Sequence, residues 1–175
     1  SDGIFSEKGN LGLKVTNTSG LGISVAPGYA FIKGYMYHND ASEVFTLDNT
    51  DATLDRIDRV VLRFDEVNRI INLAVKKGTL ASSPVPPSLV NTSTIKELPL
   101  AQIRAKKGVT SLNISDITDE RLTEFCGQVS MLIDVPVADM WNIYNNTLNQ
   151  IEEKWTTDKN TVNNEWDILK AQFDD

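Results

Sequence analysis

The chain carries one histidine, His38, and one cysteine, Cys126, so nucleophilic or metal chemistry would have to be assembled around those two side chains or around carboxylates. A two-histidine metal site is excluded within one chain, and a Ser-His-Asp arrangement would rest on His38 alone. The residues beside it, Tyr37, Asn39 and Asp40, have the character of a polar strand end, which predicts an ordinary surface histidine. Cys126 becomes a nucleophile only if His38 meets it in space, and no local signature accompanies it. Asp55 with Asp58, and Asp116 with Asp119 and Glu120, could converge for acid-base work or for a hard cation such as Ca²⁺. Neither set has EF-hand spacing, and solvated charges or helix N-terminal acids are expected instead. Gly20-Leu21-Gly22 and Gly108-Val109-Thr110 lack the basic residue and helix that follow a phosphate-binding loop, so both read as turns. The expectation is no catalytic, cofactor or metal site, and no enzyme.

Composition narrows the partners. Lys and Arg number 17 against 24 Asp and Glu, a formal net charge of −7, which disfavours binding to a phosphate backbone. No run approaches the ~18 apolar residues of a spanning helix, and no basic-then-apolar leader resembles a signal peptide, so neither membrane insertion nor secretion by a signal peptide is expected. With 175 residues and 41% apolar content the chain can bury one core and carry an appendage. A single cysteine cannot form an internal disulfide, so the fold must rest on packing, pairing or oligomerisation. The Asn-x-Ser/Thr patterns at Asn17, Asn91, Asn113 and Asn145 read as chance. Absence of an initiator methionine before Ser1, and a helical pattern still in phase near Asp175, suggest an excised fragment of a longer protein.

The strongest pattern lies in the last forty-odd residues. Trp141, Tyr144, Leu148, Ile151 and Trp155 recur at spacings of three, four, three and four, which places them on one seam of an α-helix. Val162, Trp166, Leu169 and Phe173 continue the stripe, and joining the two runs through Lys159 inserts an extra step of four. That is a stutter, which locally unwinds a left-handed coiled coil. Polar residues such as Asn145, Glu152, Glu153, Asp158 and Glu165 fill the other faces. A helix of this length reaches roughly 60 Å at about 1.5 Å per residue. Its seam needs a partner, either the same chain's core or, as favoured here, further copies in a parallel bundle.

Residues from about Leu11 to Arg104 have the patterning of a β-rich head. Leu13 and Val15, then Ile23 and Val25, alternate with polar neighbours around the Gly20-Leu21-Gly22 turn. Tyr29 to Tyr37 reads as one longer strand with Gly34 at a bulge, which puts Tyr29, Tyr35 and Tyr37 on one face. Such a face could stack on sugars or pack against a second sheet or neighbouring subunit. Arg59–Asp65 and Arg69–Lys76 form the clearest hairpin, turning at Glu66-Val67-Asn68. Leu80 to Thr94, with Pro84, Pro86 and Pro87, should be a surface loop or a docking arm toward another subunit. Ile95 to Arg104 resumes an apolar rhythm, Thr110 to Ile114 is expected to close the sheet, and Asp116 to Leu122 to form a capped turn of helix. Gly127 marks the join, giving a β-rich head over 1–127 and an oligomerisation neck over 128–175.

Taken in order, Val25-Ala26-Pro27-Gly28-Tyr29-Ala30-Phe31-Ile32-Lys33-Gly34, Asp58-Arg59-Val60-Val61-Leu62-Arg63-Phe64-Asp65, Ala74-Val75-Lys76-Lys77-Gly78-Thr79, the Pro-rich loop, Leu100-Ala101-Gln102-Ile103 and Ile117-Thr118-Asp119-Glu120-Arg121-Leu122 resemble a head domain of baseplate and tail-fibre proteins. Such proteins occur in phages and prophages of Gram-positive bacteria, and the resemblance covers roughly residues 11 to 127. The order is also similar to the shoulder architecture of lactococcal phage receptor-binding proteins, trimers with an N-terminal β-sandwich, a fibrous neck and a distal host-binding head. The resemblance implies a sandwich or partly rolled sheet followed by a coiled-coil neck, in a trimeric virion subunit of the tail tip or baseplate. It further implies synthesis in the bacterial cytoplasm, contacts with other baseplate or tail proteins, and host surface glycans bound through a module beyond Asp175. The alternative function is a carbohydrate-binding module for cell-wall glycans.

Overall fold

The computed structural model describes residues 2–7, 10–129 and 137–173. The chain is mainly β with one C-terminal helix, and it divides into two units, Ser1–Ser130 and Met131–Asp175. In the first unit the strands are β1 (Gly3–Glu7), β2 (Asn10–Leu11), β3 (Val15–Asn17), β4 (Gly22–Val25), β5 (Gly28–Ile32), β6 (Tyr35–Asn39), β7 (Glu43–Thr46), β8 (Arg56–Asp65), β9 (Ile70–Lys76), β10 (Ile95–Ala105), β11 (Ile117–Asp119) and β12 (Gly127–Val129). The second unit is the helix α1 (Val137–Phe173).

Three sheets share one core. Their orders are β12-β1-β5-β6 with β2 on β1, β11-β10-β8-β9, and β3-β4-β7. Ile4, Ala30 and Ile32 from the first sheet meet Val60, Leu62, Leu98 and Leu100 from the second and Val15, Ile23 and Val25 from the third. Each valine, leucine or isoleucine among them, nearly or wholly removed from water, contributes about 1.5–3 kcal/mol. Valine, isoleucine and leucine dominate these positions because they fill a pleated, covered surface. Pro99 is tolerated inside the central strand β10 because the ladder with β8 shifts register between Pro99 and Ala101.

Tyr29–Tyr37 is not one strand. β5 and β6 form a hairpin in which Ile32 faces Tyr35, and Lys33 and Gly34 turn the chain with φ of 51° and 82°. Two successive positive φ values are the mirror-image turn that matches strand twist, so glycine at 34 serves a turn instead of a bulge. The hairpin tip is held by Tyr35 stacked on Phe64 at 5.4 Å and by the Lys33 ammonium 5.9 Å from the same ring. Folding back also separates the tyrosines. Tyr29 pairs with His38, whereas Tyr37 pairs with Ala30 and Tyr35 with Ile32, so Tyr29 lies on the sheet face opposite Tyr35 and Tyr37.

The 59–76 hairpin is present, but its turn is one residue longer than expected: Arg69, with φ of 54°, joins Glu66–Asn68, Asp65 lies opposite Ile70, and the Asp65 carboxylate accepts from the Asn68 N–H at 3.0 Å. The end of the head differs. Thr110–Ile114 contains no strand; Ile117–Asp119 pairs with β10 instead, after a 3₁₀ turn at Ile114–Asp116. Gly127 does not mark the join either, because it opens β12, which runs parallel to β1 with Gly3 opposite Gly127. A Cβ on Gly3 would lie 2.1 Å from the Gly127 carbonyl oxygen, so this close approach requires glycine. The head therefore extends at least to Val129.

The Pro-rich segment is not a free arm. Ala81 bridges to Asp55, Asn91 bridges to Lys96, and the Val90 N–H donates to Glu97 at 2.8 Å. Arg59 and Lys76 rise from the outer face of the β8–β9 pair and donate to the Pro87 and Ser88 carbonyls at 2.6 Å each. Prolines leave carbonyls without a ladder partner, and these cations take that role.

Candidate functional site: the exposed seam of the helix

α1 runs unbroken for 37 residues, about 55 Å at 1.5 Å per residue. Every described side chain from Met140 to Phe173 is exposed. The nine seam residues Trp141, Tyr144, Leu148, Ile151, Trp155, Val162, Trp166, Leu169 and Phe173 are between 41% and 85% exposed, so the helix unit covers none of the stripe by itself. At 3.6 residues per turn all nine, together with Lys159, fall within an arc of about 80°. The step of four at Lys159 keeps the stripe from drifting around a straight helix. Trp141 and Tyr144 already meet edge to face, with ring centroids 5.6 Å apart. Off the stripe, Thr147, Thr156, Thr157 and Thr161 return their hydroxyls to backbone carbonyls four residues earlier, at 2.8 to 3.0 Å, and so need no outside partner. Met140, Ile143 and Ile168 are exposed apolar residues outside the stripe. Met140 borders it at about 60° from its centre and was findable from its position three residues before Ile143 and one turn before Tyr144.

In the head the residues singled out for chemistry do not converge. Asp58 is 1% exposed and is bound by Arg56 Nε at 3.0 Å to each oxygen, with the Gly78 N–H at 2.8 Å. Asp55 turns away to Arg104 and the Lys107 N–H, whose hydrogen bonds hold its carboxyl below the usual range. Glu120 receives a two-point grip from Arg59, at 2.8 and 2.9 Å, and a third hydrogen bond from Gln102 at 2.7 Å. Burial acts to raise Asp116 and Asp119, and basic neighbours more than reverse it: Lys106 at 2.5 Å and Arg121 at 2.6 Å leave both carboxyls lowered. Glu97 follows the same pattern, with Lys76 at 2.6 Å, the Val90 N–H and Arg63 at 2.8 Å overcoming its burial. Several of these acids are thus buried members of ion pairs, not the solvated charges expected from the sequence. The physical reason is that Arg56, Arg59, Arg63 and Lys76 point from strands toward them. Among the described residues no group of three or more His, Cys, Asp or Glu side chains could hold a metal ion.

His38 is exposed and stacks on Tyr29 with centroids 4.1 Å apart and rings 6° from parallel. Cys126 is wholly buried, and that burial pushes its thiol up to about 12, with Asp119 and Glu120 adding to the effect against Arg121. A thiol so placed carries negligible thiolate at neutral pH. Burial also makes a polar substitution costly: Cys126→Ser would leave a hydroxyl in an apolar core, at a cost of about 1–3 kcal/mol. His38→Ala and Cys126→Ala should leave the mass of the protein in solution and any hydrolysis of generic ester substrates unchanged. A catalytic role would be exposed by an activity in the native chain that either variant loses.

An open cavity of about 550 Å³ lies in the head beside Leu47, Thr50, Asp51, Gly108 and Val109. Its one carboxylate, Asp51, is occupied by the Thr53 N–H, the Thr53 hydroxyl and the Leu54 N–H. No family model matches this chain, and no characterised protein or solved structure matches it.

Proposed function

We propose that this chain is a structural subunit of a phage tail tip or baseplate, a trimeric scaffold or attachment domain of a host-binding apparatus. One observation carries the assembly half of this reading: nine large apolar side chains lie in phase and exposed along a 37-residue helix. A contiguous apolar stripe of that extent marks an interaction surface. Because every copy brings the same stripe, a parallel coiled coil with cyclic symmetry covers it without any second protein. The head supports an architectural role as well. Three sheets around one core agree with a sandwich or partly rolled sheet, and the segments of the tail-fibre resemblance meet at ion pairs. Arg59 of the 58–65 segment grips Glu120 of the 117–122 segment and the Pro87 carbonyl of the Pro-rich loop.

In this reading the function is mechanical. The bundle sets stoichiometry and axis, and the heads present surfaces to neighbouring virion proteins. Carbohydrate binding by a shared tyrosine face has lost its geometric basis, since Tyr29 is separated from Tyr35 and Tyr37 by the sheet. Size exclusion coupled to light scattering tests the proposal: the expected mass is three times that of the chain across a dilution series. A concentration-independent monomer defeats it.

A further inference from the structure

We infer that Asp158 and Lys159 form a closed ring of ion pairs between copies, in the middle of the bundle. The inference rests on the self-association proposed above. Lys159 is the one charged residue within the apolar arc, midway between Trp155 and Val162. An ammonium carried into an apolar seam by several copies at once is costly unless each is paired. Consecutive residues stand about 100° apart on a helix, so Asp158 and Lys159 straddle the centre of the seam, roughly 60° to one side and 40° to the other. In a parallel ring of helices, one flank of each helix meets the opposite flank of the next. Asp158 of one copy therefore faces Lys159 of its neighbour at nearly the same height, and the pattern closes with equal numbers of both charges.

The two residues cannot satisfy each other along their own helix, because neighbours in sequence do not face one another. Among the described residues, neither takes part in an ion pair within the chain. Lys154 shares the flank of Asp158 one turn earlier, and Glu165 two turns later lies five residues before Lys170 on the opposite flank. That last spacing suits a second pair between parallel neighbours, whereas the same spacing brings Lys154 toward Lys159, so Asp158 is the acid that offsets two cations at this level.

Charge reversal in the full chain tests this. Asp158→Lys and Lys159→Asp each place like charges around the ring, and each should lower the melting temperature of the assembled helix by several degrees and shift mass toward monomer. The double variant Asp158→Lys/Lys159→Asp again sets opposite charges face to face and should recover most of the loss. The penalties of the single variants should shrink in about 1 M salt, where screening acts within ~3 Å. If the native chain is trimeric and the single reversals leave melting and mass unchanged, or the double variant is no better than either, the ring is refuted while self-association stands. A monomeric native chain refutes both.

Discussion

Trp155→Ala is expected to lower the melting temperature of the helix and to move the oligomer toward monomer. In the isolated chain Trp155 is 71% exposed, so on a free helix its removal would change stability by only about ±0.5 kcal/mol. If the seam is covered by other copies, the same deletion costs roughly 3 to 5 kcal/mol per side chain, repeated around one layer. This contrast makes the substitution decisive, since one change separates a solvated stripe from a buried one. Glu153→Ala supplies the control, because it lies about 160° from the centre of the seam. Thermal melts followed at 222 nm, with light scattering on the same samples, should show a large effect for Trp155 and almost none for Glu153. Small and equal effects from both would mean that the seam faces water and that the coiled-coil reading is wrong.

Arg56→Met is expected to do comparable damage in the head. Arg56 is 2% exposed, its Nε holds Asp58, and its terminal nitrogens donate to the Asn49 carbonyl at 2.7 Å and to the Asp48 carbonyl. Methionine keeps much of the volume and removes every one of these donors. Asp58, itself 1% exposed, would keep only the Gly78 N–H, and two loop carbonyls would lose their partner. Removing one member of a buried ion pair costs about 3–5 kcal/mol, against a total stability of about 5–15 kcal/mol for a domain. Urea unfolding of the head should show that loss, and adding Asp58→Leu should return part of it because no charge is then left unpaired. A single-variant loss below about 1 kcal/mol would show that the pair holds little of the fold.

Local patterns in the sequence predicted the local structure well. The 59–76 hairpin follows from alternation over two runs and a polar turn, and α1 follows from a three-four spacing that ten positions share, Lys159 included. Both elements obey neighbours in sequence, which is why they were legible. The alignment of the nine apolar residues along one face of the helix was also legible, since helix phase needs no knowledge of what covers that face. Two readings failed, one at a turn and one across the chain. Residues 29 to 37 alternate as a single strand would, and only the left-handed turn at Lys33 and Gly34 divides them. β1 and β12 are five and three residues long and gain their identity from pairing with each other across more than a hundred residues, so nothing local announced them.

The same division runs through the charges. Sequence determined that one histidine and one cysteine leave little catalytic material, and that acids outnumber bases. Only the tertiary structure decided that Asp58, Glu97, Asp116 and Glu120 are buried in pairs with basic side chains, that the Pro-rich loop is fastened by Arg59 and Lys76, and that Cys126 lies in the core. The physical reason is range: helix phase and strand alternation arise within a few residues, whereas burial and ion pairing depend on which distant segments the sheets bring together.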